Sequence, residues 1–189
     1  MSRLFPKATV IAQQIVKKIL HEGDYAVDAT AGNGNDTLFM ARLVGDQGHV
    51  YSFDIQTPAI GNTKKLLDEH NLSERVTLIQ TGHENLDKYV KGKLKTVMFN
   101  LGYLPGGDHN IITIPETTVK ALNKALDLLD YLGVLTVVVY SAHQGATQEQ
   151  YAVEDFFAEC NRKEYDIVKI ENINYANNPP FVIVAQKIA

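Results

Sequence analysis

Apolar residues recur along this chain in two rhythms, every third or fourth position and in short unbroken runs, and the two alternate from end to end. Ile11, Ile15 and Ile19 form one row of a helix predicted over 8–21. Gly23 and Asp24 then turn the chain into an apolar run, Tyr25 to Val27, which ends in Asp28. A small-residue turn carrying Gly32 and Gly34 leads into an apolar helix over 36–44. A strand over 49–54 ends in Asp54, and Thr57 caps the next helix with Pro58 at its first position. A strand over 76–80 runs into Thr81-Gly82-His83 and a short helical turn. A strand over 94–99 ends in Asn100 and the loop LGYLPGGDHN, after which Pro115 opens a helix over 115–131 with Leu122, Ala125, Leu126 and Leu129 on its inner face. The most apolar strand covers 133–140, and Thr147 to Gln150 make a capping box for a further helix.

The last two strands, roughly 165–173 and 181–187, are joined by NYANNPP. A parallel crossover needs about a dozen residues or more, so these strands pair antiparallel. The fold expected is α/β, a Rossmann-like seven-stranded sheet, mostly parallel, with an antiparallel C-terminal hairpin and helices on both faces, in one domain spanning 1–189. Five βα units closed by such a hairpin have the layout of a class I methyltransferase. A nicotinamide-type Rossmann domain continues with parallel strands instead.

The stretch VDATAGNGNDTLFMA is a strand, a glycine turn and a helix start in fifteen residues. Glycines suit a backbone that must turn tightly and approach a ligand, and the free N–H groups of a helix start favour a polar or anionic partner. Asp54 falls twenty positions after Gly34, the spacing of a carboxylate that holds a ribose diol from the neighbouring strand. Asp28 stands before the turn, and Thr37 occupies the place of a third glycine. A carboxylate there repels a pyrophosphate and can hold an ammonium group, so the pattern points to S-adenosylmethionine rather than a dinucleotide.

Composition narrows the class without choosing the reaction. Hydrophobic residues make up 45% and charged residues 21%, as in ordinary globular proteins, and no apolar run approaches a membrane span of roughly 20 residues. One cysteine, Cys160, excludes an internal disulfide framework and fits a reducing cytoplasm. A net charge of -4 argues against coating nucleic acid through bulk charge, though Lys88, Lys91, Lys93 and Lys95 cluster in DKYVKGKLK. That cluster leads into the amino end of the fourth strand and reads as a solvated turn. Cys160, within a helical stretch away from the rim, reads as a core residue.

Ligands of such sheets bind beyond the carboxyl ends of the strands. Polar and glycine residues concentrate there, in 28–37, 54–56, 81–84, 100–110 and 140–145, and in the hairpin turn 177–181. Asn100, at a strand tip, can offer its carbonyl to an incoming amine, and Asp108 or His109 can accept the proton that the amine sheds. His83, His109, Asp108 and His143 lie on separate loops without metal-ligand spacing, so no metal is expected. Asn178-Pro179-Pro180-Phe181 matches the N-P-P-[FYW] tetrapeptide of base-amine methyltransferases but follows the sixth strand rather than the fourth. It reads as a rigid rim element, a plain turn or one from which Phe181 or Tyr175 stacks on a base.

Together VDATAGNGNDT, NLGYLPGGDH, the segment from Thr113 through Pro115 to Thr118, SAHQG with Glu149, and NPPF resemble a family of small methyltransferases long labelled rRNA methylases. The resemblance runs nearly end to end, and the Asn100 loop is its most specific piece. Members in Gram-positive bacteria are tRNA 5-(aminomethyl)-2-thiouridine methyltransferases. The resemblance implies S-adenosylmethionine as donor, a tRNA anticodon stem-loop as substrate and a homodimer. It implies cofactor contacts at Asp28, Gly32, Asn33, Gly34, Asn35, Asp36, Thr37, Asp54, Gln56, His83 and Asn100. On the substrate side it implies Tyr103, Gly106, Gly107, Asp108, His109, His143, Pro179, Pro180 and Phe181. Where members often carry a glycine pair after the histidine, this chain has Gln144-Gly145-Ala146. The competing expectations are methylation of ribosomal RNA or another base amine, a nicotinamide-dependent oxidoreductase, and a non-catalytic cofactor- or RNA-binding module.

Overall fold

Strand β1 (Tyr25–Asp28) sends Ala26 to one face and Val27 to the other, and both are fully buried. Strands covered on both faces need apolar side chains at every position, which is why they read as continuous runs rather than as alternation. A computed structural model describes residues 6–108, 110–140, 146–175 and 179–189. It holds α1 (Ala8–Val16), β1, α2 (Asn35–Val44), β2 (His49–Asp54), α3 (Thr57–Glu69), β3 (Val76–Gln80), β4 (Leu94–Asn100), α4 (Pro115–Leu128), β5 (Leu129–Val139), α5 (Ala146–Ala158), β6 (Tyr165–Ile170) and β7 (Phe181–Lys187).

The sheet order is β3-β2-β1-β4-β5-β7-β6, with parallel pairing from β3 to β5 and antiparallel pairing of β7 with both β5 and β6. This is the expected class I methyltransferase sheet. One core gathers Val27, Phe53, Val97, Phe99, Val137 and Ile183 with Ala121, Leu122 and Ala125 of α4 and Val153 and Phe157 of α5. The other gathers Ala26, Val50, Met98, Val138 and Val182 with Ala12 and Val16 of α1, Met40 and Ala41 of α2, and Leu67 of α3. The two cores take alternate residues of the same strands, which fixes the register of each. The first helices therefore cover one face and the last two the other.

Several boundaries differ from the expectation. Helix α1 stops at Val16 rather than residue 21, and α4 ends at Leu128, because Leu129 takes an extended conformation (φ -58, ψ 138) and becomes the first residue of β5. Thr57 is the first residue of α3 with Gln56 as its cap, and the Thr57 hydroxyl accepts from the Gln80 amide at 2.8 Å. Thr147 lies inside α5 rather than capping it. Strand β6 ends at Ile170. Lys93 and Lys95 donate to the Asp127 and Tyr131 carbonyls near the amino end of β4. Cys160 follows α5, partly buried against the first core. Among the described residues no helix is long and apolar enough to cross a membrane.

Candidate functional site

The carboxyl ends of β1, β2, β3 and β4 open into one cavity of about 480 Å³, the scale of a ligand pocket. Its floor is the glycine turn. Gly32 and Gly34 both have positive φ (53 and 83), and a Cβ on Gly34 would lie 2.9 Å from the Thr63 Cα. Gly34 therefore serves the turn and the close approach of α3, while Gly32, Asn33, Asn35 and Asp36 line the cavity. Asp54 joins turn to strand, since Gly32 N donates to its Oδ2 at 3.0 Å and Gln56 N to its Oδ1 at 2.9 Å. It also lines the cavity, half-buried.

Asp28 sits beneath the turn rather than in the cavity. It is 1% exposed, accepts from the Thr37 hydroxyl at 2.5 Å and the Thr30 N–H at 3.1 Å, and does not line the space. Thr37 is likewise buried, shared with Ser52 at 2.8 Å. Asp28, Gly34 and Thr37, expected beside the cofactor, build the floor that the lining residues present. Burial, with Asp36 close by, pushes the Asp28 carboxyl up to about 7, and burial raises Asp36 as well. A carboxyl raised on folding holds its proton more tightly than the unfolded chain does, so it adds stability as pH falls from 7 toward the ordinary carboxyl value of about 4. His83, held below its ordinary value by burial, opposes this trend below about pH 6.5. Between pH 8 and 6.5 the ligand-free protein should therefore gain thermal stability, and Asp28→Asn should raise the melting temperature at pH 8 and flatten that gain. Calorimetry across the interval checks both.

The far wall is β4 and its loop. Asn100 holds position through its own N–H, donated to the Thr30 hydroxyl at 2.7 Å, while its side-chain Oδ1 is buried with no hydrogen-bond partner. Asn100 and Asp36 line the same cavity. Loop 101–113 is pinned at its base, where Gly102 N donates to the Thr113 hydroxyl and Thr113 N to the Gly102 carbonyl, both at 2.9 Å. Buried Glu149 of α5 accepts from the Thr113 and Thr118 hydroxyls, each at 2.7 Å. The loop then reaches across to the glycine turn, and the Asn33 amide donates to the Pro105 carbonyl at 3.2 Å. Tyr103, Leu104, Pro105, Ile112 and Ile114 line the space from this side, and Tyr140 closes it from the end of β5.

His83 lines the space with an incomplete set of partners. Its Nδ1 donates to the Ala29 carbonyl at 3.2 Å, its ring meets Phe99 edge-on, and its buried Nε2 has no partner. Burial lowers the pKa of the ring, and with Nδ1 donating, the neutral ring leaves Nε2 a buried acceptor without a partner. Among the described lining residues the charged side chains are Asp36, Asp54 and Glu84, with no lysine or arginine. Three carboxylates without a cation suit a positively charged ligand and exclude a pyrophosphate.

Of the expected substrate-side residues that are described, Tyr103 lines the cavity, while Gly106, Gly107, Asp108, Pro179, Pro180 and Phe181 do not. Asp108 is exposed, and its Oδ1 accepts from the Asn110 N–H and side-chain amide at 2.9 Å each. With Gly107 it borders a neighbouring hollow of about 350 Å³ rather than the main cavity. Asp108→Ala should accordingly retain turnover within about threefold, because a solvent-facing turn residue contributes little to the chemistry; steady-state kinetics check this. Gly106 is exposed at the loop tip with φ 82. Phe181 is 4% exposed, opens β7 against Val139 and carries the Lys169 ammonium 4.3 Å above its ring, so it is a core residue and offers no face to a base. Pro179 and Pro180 are half-buried beside it, and Tyr175 is 53% exposed. His109, His143 and Asn178 lie outside the described residues. Among the described residues no group of three or more His, Cys, Asp or Glu could hold a metal ion. Sequence reasoning missed Gln13, Thr30 and the Glu149–Thr113 anchor; only the last left a signal, two recognisable segments that the fold joins.

Comparison with known proteins places this geometry. The family profile described as "Putative rRNA methylase" matches residues 50–186. A chloroplast protein of Arabidopsis thaliana named tRNA (mnm(5)s(2)U34)-methyltransferase is 36% identical over 191 residues, covering 96% of this chain and 70% of that protein. The solved structure of a "putative rRNA-methylase" from Clostridium thermocellum is 46% identical with a TM-score of 0.96, covering 98% of this chain and 100% of that one. SMU.1697c of Streptococcus mutans, a "putative methyltransferase" solved in complex with SAH, is 33% identical with a TM-score of 0.90 over 98% and 100% of the two chains.

Proposed function

Because this chain belongs to the rRNA methylase family, we propose that it methylates tRNA, transferring a methyl group to the 5-aminomethyl nitrogen of the (2-thio)uridine at the wobble position. It is an S-adenosylmethionine-dependent methyltransferase of the rRNA or tRNA type. The finer reading rests on one observation, the buried and unpartnered Asn100 Oδ1 in an acid-lined cavity. A buried carbonyl oxygen without a partner is costly unless a donor arrives, and an alkylamine brings one. The activity named for the plant relative supplies the amine.

The residues present fit the cofactor. The floor from Gly32 to Asp36 would cradle its amino-acid end, Asp54 its ribose diol, and the bare His83 Nε2 a donor on its base. When bound, the cofactor supplies a methyl group activated by a sulfonium. Asn100 accepts an N–H from the amine and turns its lone pair into line, an alignment that carries much of such a rate enhancement. Asp36 faces the charge that develops on nitrogen, and Tyr103 with the loop isoleucines excludes water. An alkylamine is mostly protonated at neutral pH, by analogy with lysine at about 10.4, so only its small neutral fraction reacts.

A tRNA anticodon stem-loop as substrate, a homodimer and a cytoplasmic setting belong to the same proposal. The cavity lining offers RNA phosphates no described cation, so the target base enters alone, flipped from its stack. The family's description favours a second reading, a base amine of ribosomal RNA. The test is mass spectrometry of nucleosides from tRNA lacking the terminal methyl, incubated with protein and S-adenosylmethionine. A gain of one methyl on 5-aminomethyl-2-thiouridine supports the first reading. No gain there, with methyl incorporated into ribosomal RNA, supports the second.

A further inference from the structure

Helix α5 reaches the substrate side of the cavity through one buried side chain. Glu149 is 2% exposed, and its Oε2 accepts from the Thr113 hydroxyl while its Oε1 accepts from the Thr118 hydroxyl, each at 2.7 Å. Among the described residues no cation pairs with it. A buried carboxylate whose described partners are neutral hydroxyls is a weak source of stability, because an apolar side chain in its place carries no desolvation cost.

The two hydroxyls lead to different places. Thr118 lies in the first turn of α4 and is fully buried. Thr113 closes loop 101–113 and lines the cavity, and its hydroxyl also accepts the Gly102 N–H at 2.9 Å. A hydroxyl has one proton, and a carboxylate can only accept. Glu149 therefore takes the Thr113 proton and leaves the hydroxyl's lone pairs to Gly102. Gly102 stands two residues past Asn100 and one before Tyr103, with φ 133, and its carbonyl accepts the Thr113 N–H at 2.9 Å. Tyr103 and Ile112 then bridge antiparallel across the loop. At its far end the loop has a lighter hold, the exposed bond from the Asn33 amide to the Pro105 carbonyl at 3.2 Å.

We propose that Glu149 is a positioning residue for methyl transfer, which acts through Thr113 and Gly102 to fix where the chain leaves β4 and so where Tyr103 stands against the acceptor base. It does not line the cavity itself. Its Thr113 arm serves the site, and its Thr118 arm serves the packing of α4 on α5. Breaking either arm removes one bond to the same carboxylate, so the pair separates positioning from stability.

The inference rests on the reading of this wall as the acceptor's side, and its first test is made without RNA so that the two fail separately. Hydrogen exchange at the Gly102 and Thr113 amides is followed by NMR in the ligand-free protein. Both should quicken about tenfold or more in Glu149→Ala and stay near the wild-type rate in Thr118→Val. Glu149→Gln should restore slow exchange, since its amide oxygen still accepts from Thr113 while its NH2 donates to the Thr118 oxygen. If Glu149→Ala is too unstable to purify, Thr113→Val removes the same arm from the other side and replaces it in the comparison. In turnover kcat/KM for tRNA lacking the terminal methyl should fall about tenfold in Glu149→Ala, recover in Glu149→Gln and hold in Thr118→Val, even where Thr118→Val lowers the melting temperature. Amides as slow in Glu149→Ala as in wild type, or as fast in Thr118→Val, overturn the clamp whatever the activity. Loosened amides with unchanged kcat/KM overturn the positioning role. A protein that methylates ribosomal RNA rather than tRNA overturns the proposed substrate, and the same variants are then compared on that RNA.

Discussion

Asp54→Ala is expected to raise the dissociation constant for S-adenosylmethionine by about 100-fold, because two hydrogen bonds to a charged acceptor are lost at roughly 1.5 kcal/mol each. The loss has two sources. Asp54 lines the cavity where a ribose diol would sit, and its carboxylate also accepts the Gly32 and Gln56 N–H groups that shape the floor. Asp54→Asn separates them. An amide still accepts one of the two backbone N–H groups but sets an NH2 against the other, so it should recover part of the melting temperature and little of the affinity. Isothermal calorimetry with cofactor, beside thermal unfolding, reads both. An Asp54→Ala protein that binds cofactor normally would remove the ribose assignment.

The second large effect is expected at Asn100. Truncation to alanine leaves the Thr30 anchor intact, since that bond uses the Asn100 backbone N–H. What goes is the oxygen that meets the amine. Turnover should fall on the order of 10²-fold, the cost of losing alignment at a reacting centre, while cofactor affinity changes a few-fold. Asn100→Asp is the sharper variant, because it sets a further carboxyl group in the same acid-lined cavity as Asp36 and replaces the amide with a group that repels Asp36 when charged. Rapid-quench transfer with preloaded cofactor separates the chemical step from binding. An Asn100→Ala enzyme with an unchanged chemical step would mean that the amine is oriented by other groups.

The fold was legible because the central strands β1, β4 and most of β5 are buried on both faces and bounded by turn residues. Strand β2 emerges at the residues read from HVYSFD, with Gly48 before it and Pro58 soon after. The α4–β5 junction was misread because Leu122, Ala125, Leu126 and Leu129 keep a helical spacing through the break, and only the backbone of Leu129 marks it. In the site, the acid after each strand could be found by spacing, but not which acid faces the ligand. Asp28 and Asp36 look alike in the sequence; one lies under the turn with its oxygens occupied, the other one helix turn along and open to the cavity. Gln13 could not be found at all, since one of two adjacent glutamines in a mostly apolar helix carries no sign of a partner, Asp36, 23 residues away. Phe181 misled for the opposite reason. A tetrapeptide associated with base stacking here opens a core strand, and Lys169 covers its ring.

The cation-free lining around Asp36, Asp54 and Glu84 has a consequence for the order of events in a catalytic cycle. Transfer of the methyl group turns a sulfonium into a neutral thioether, so the spent cofactor leaves the reaction with one positive charge fewer than the fresh one. Carboxylates that draw the reactant in lose part of their hold on the product at the moment of reaction. Product inhibition should accordingly be mild and relieved by fresh donor, and Asp36→Asn should narrow the preference for donor over spent cofactor. The same walls that select the reactant thus clear the site for the next round.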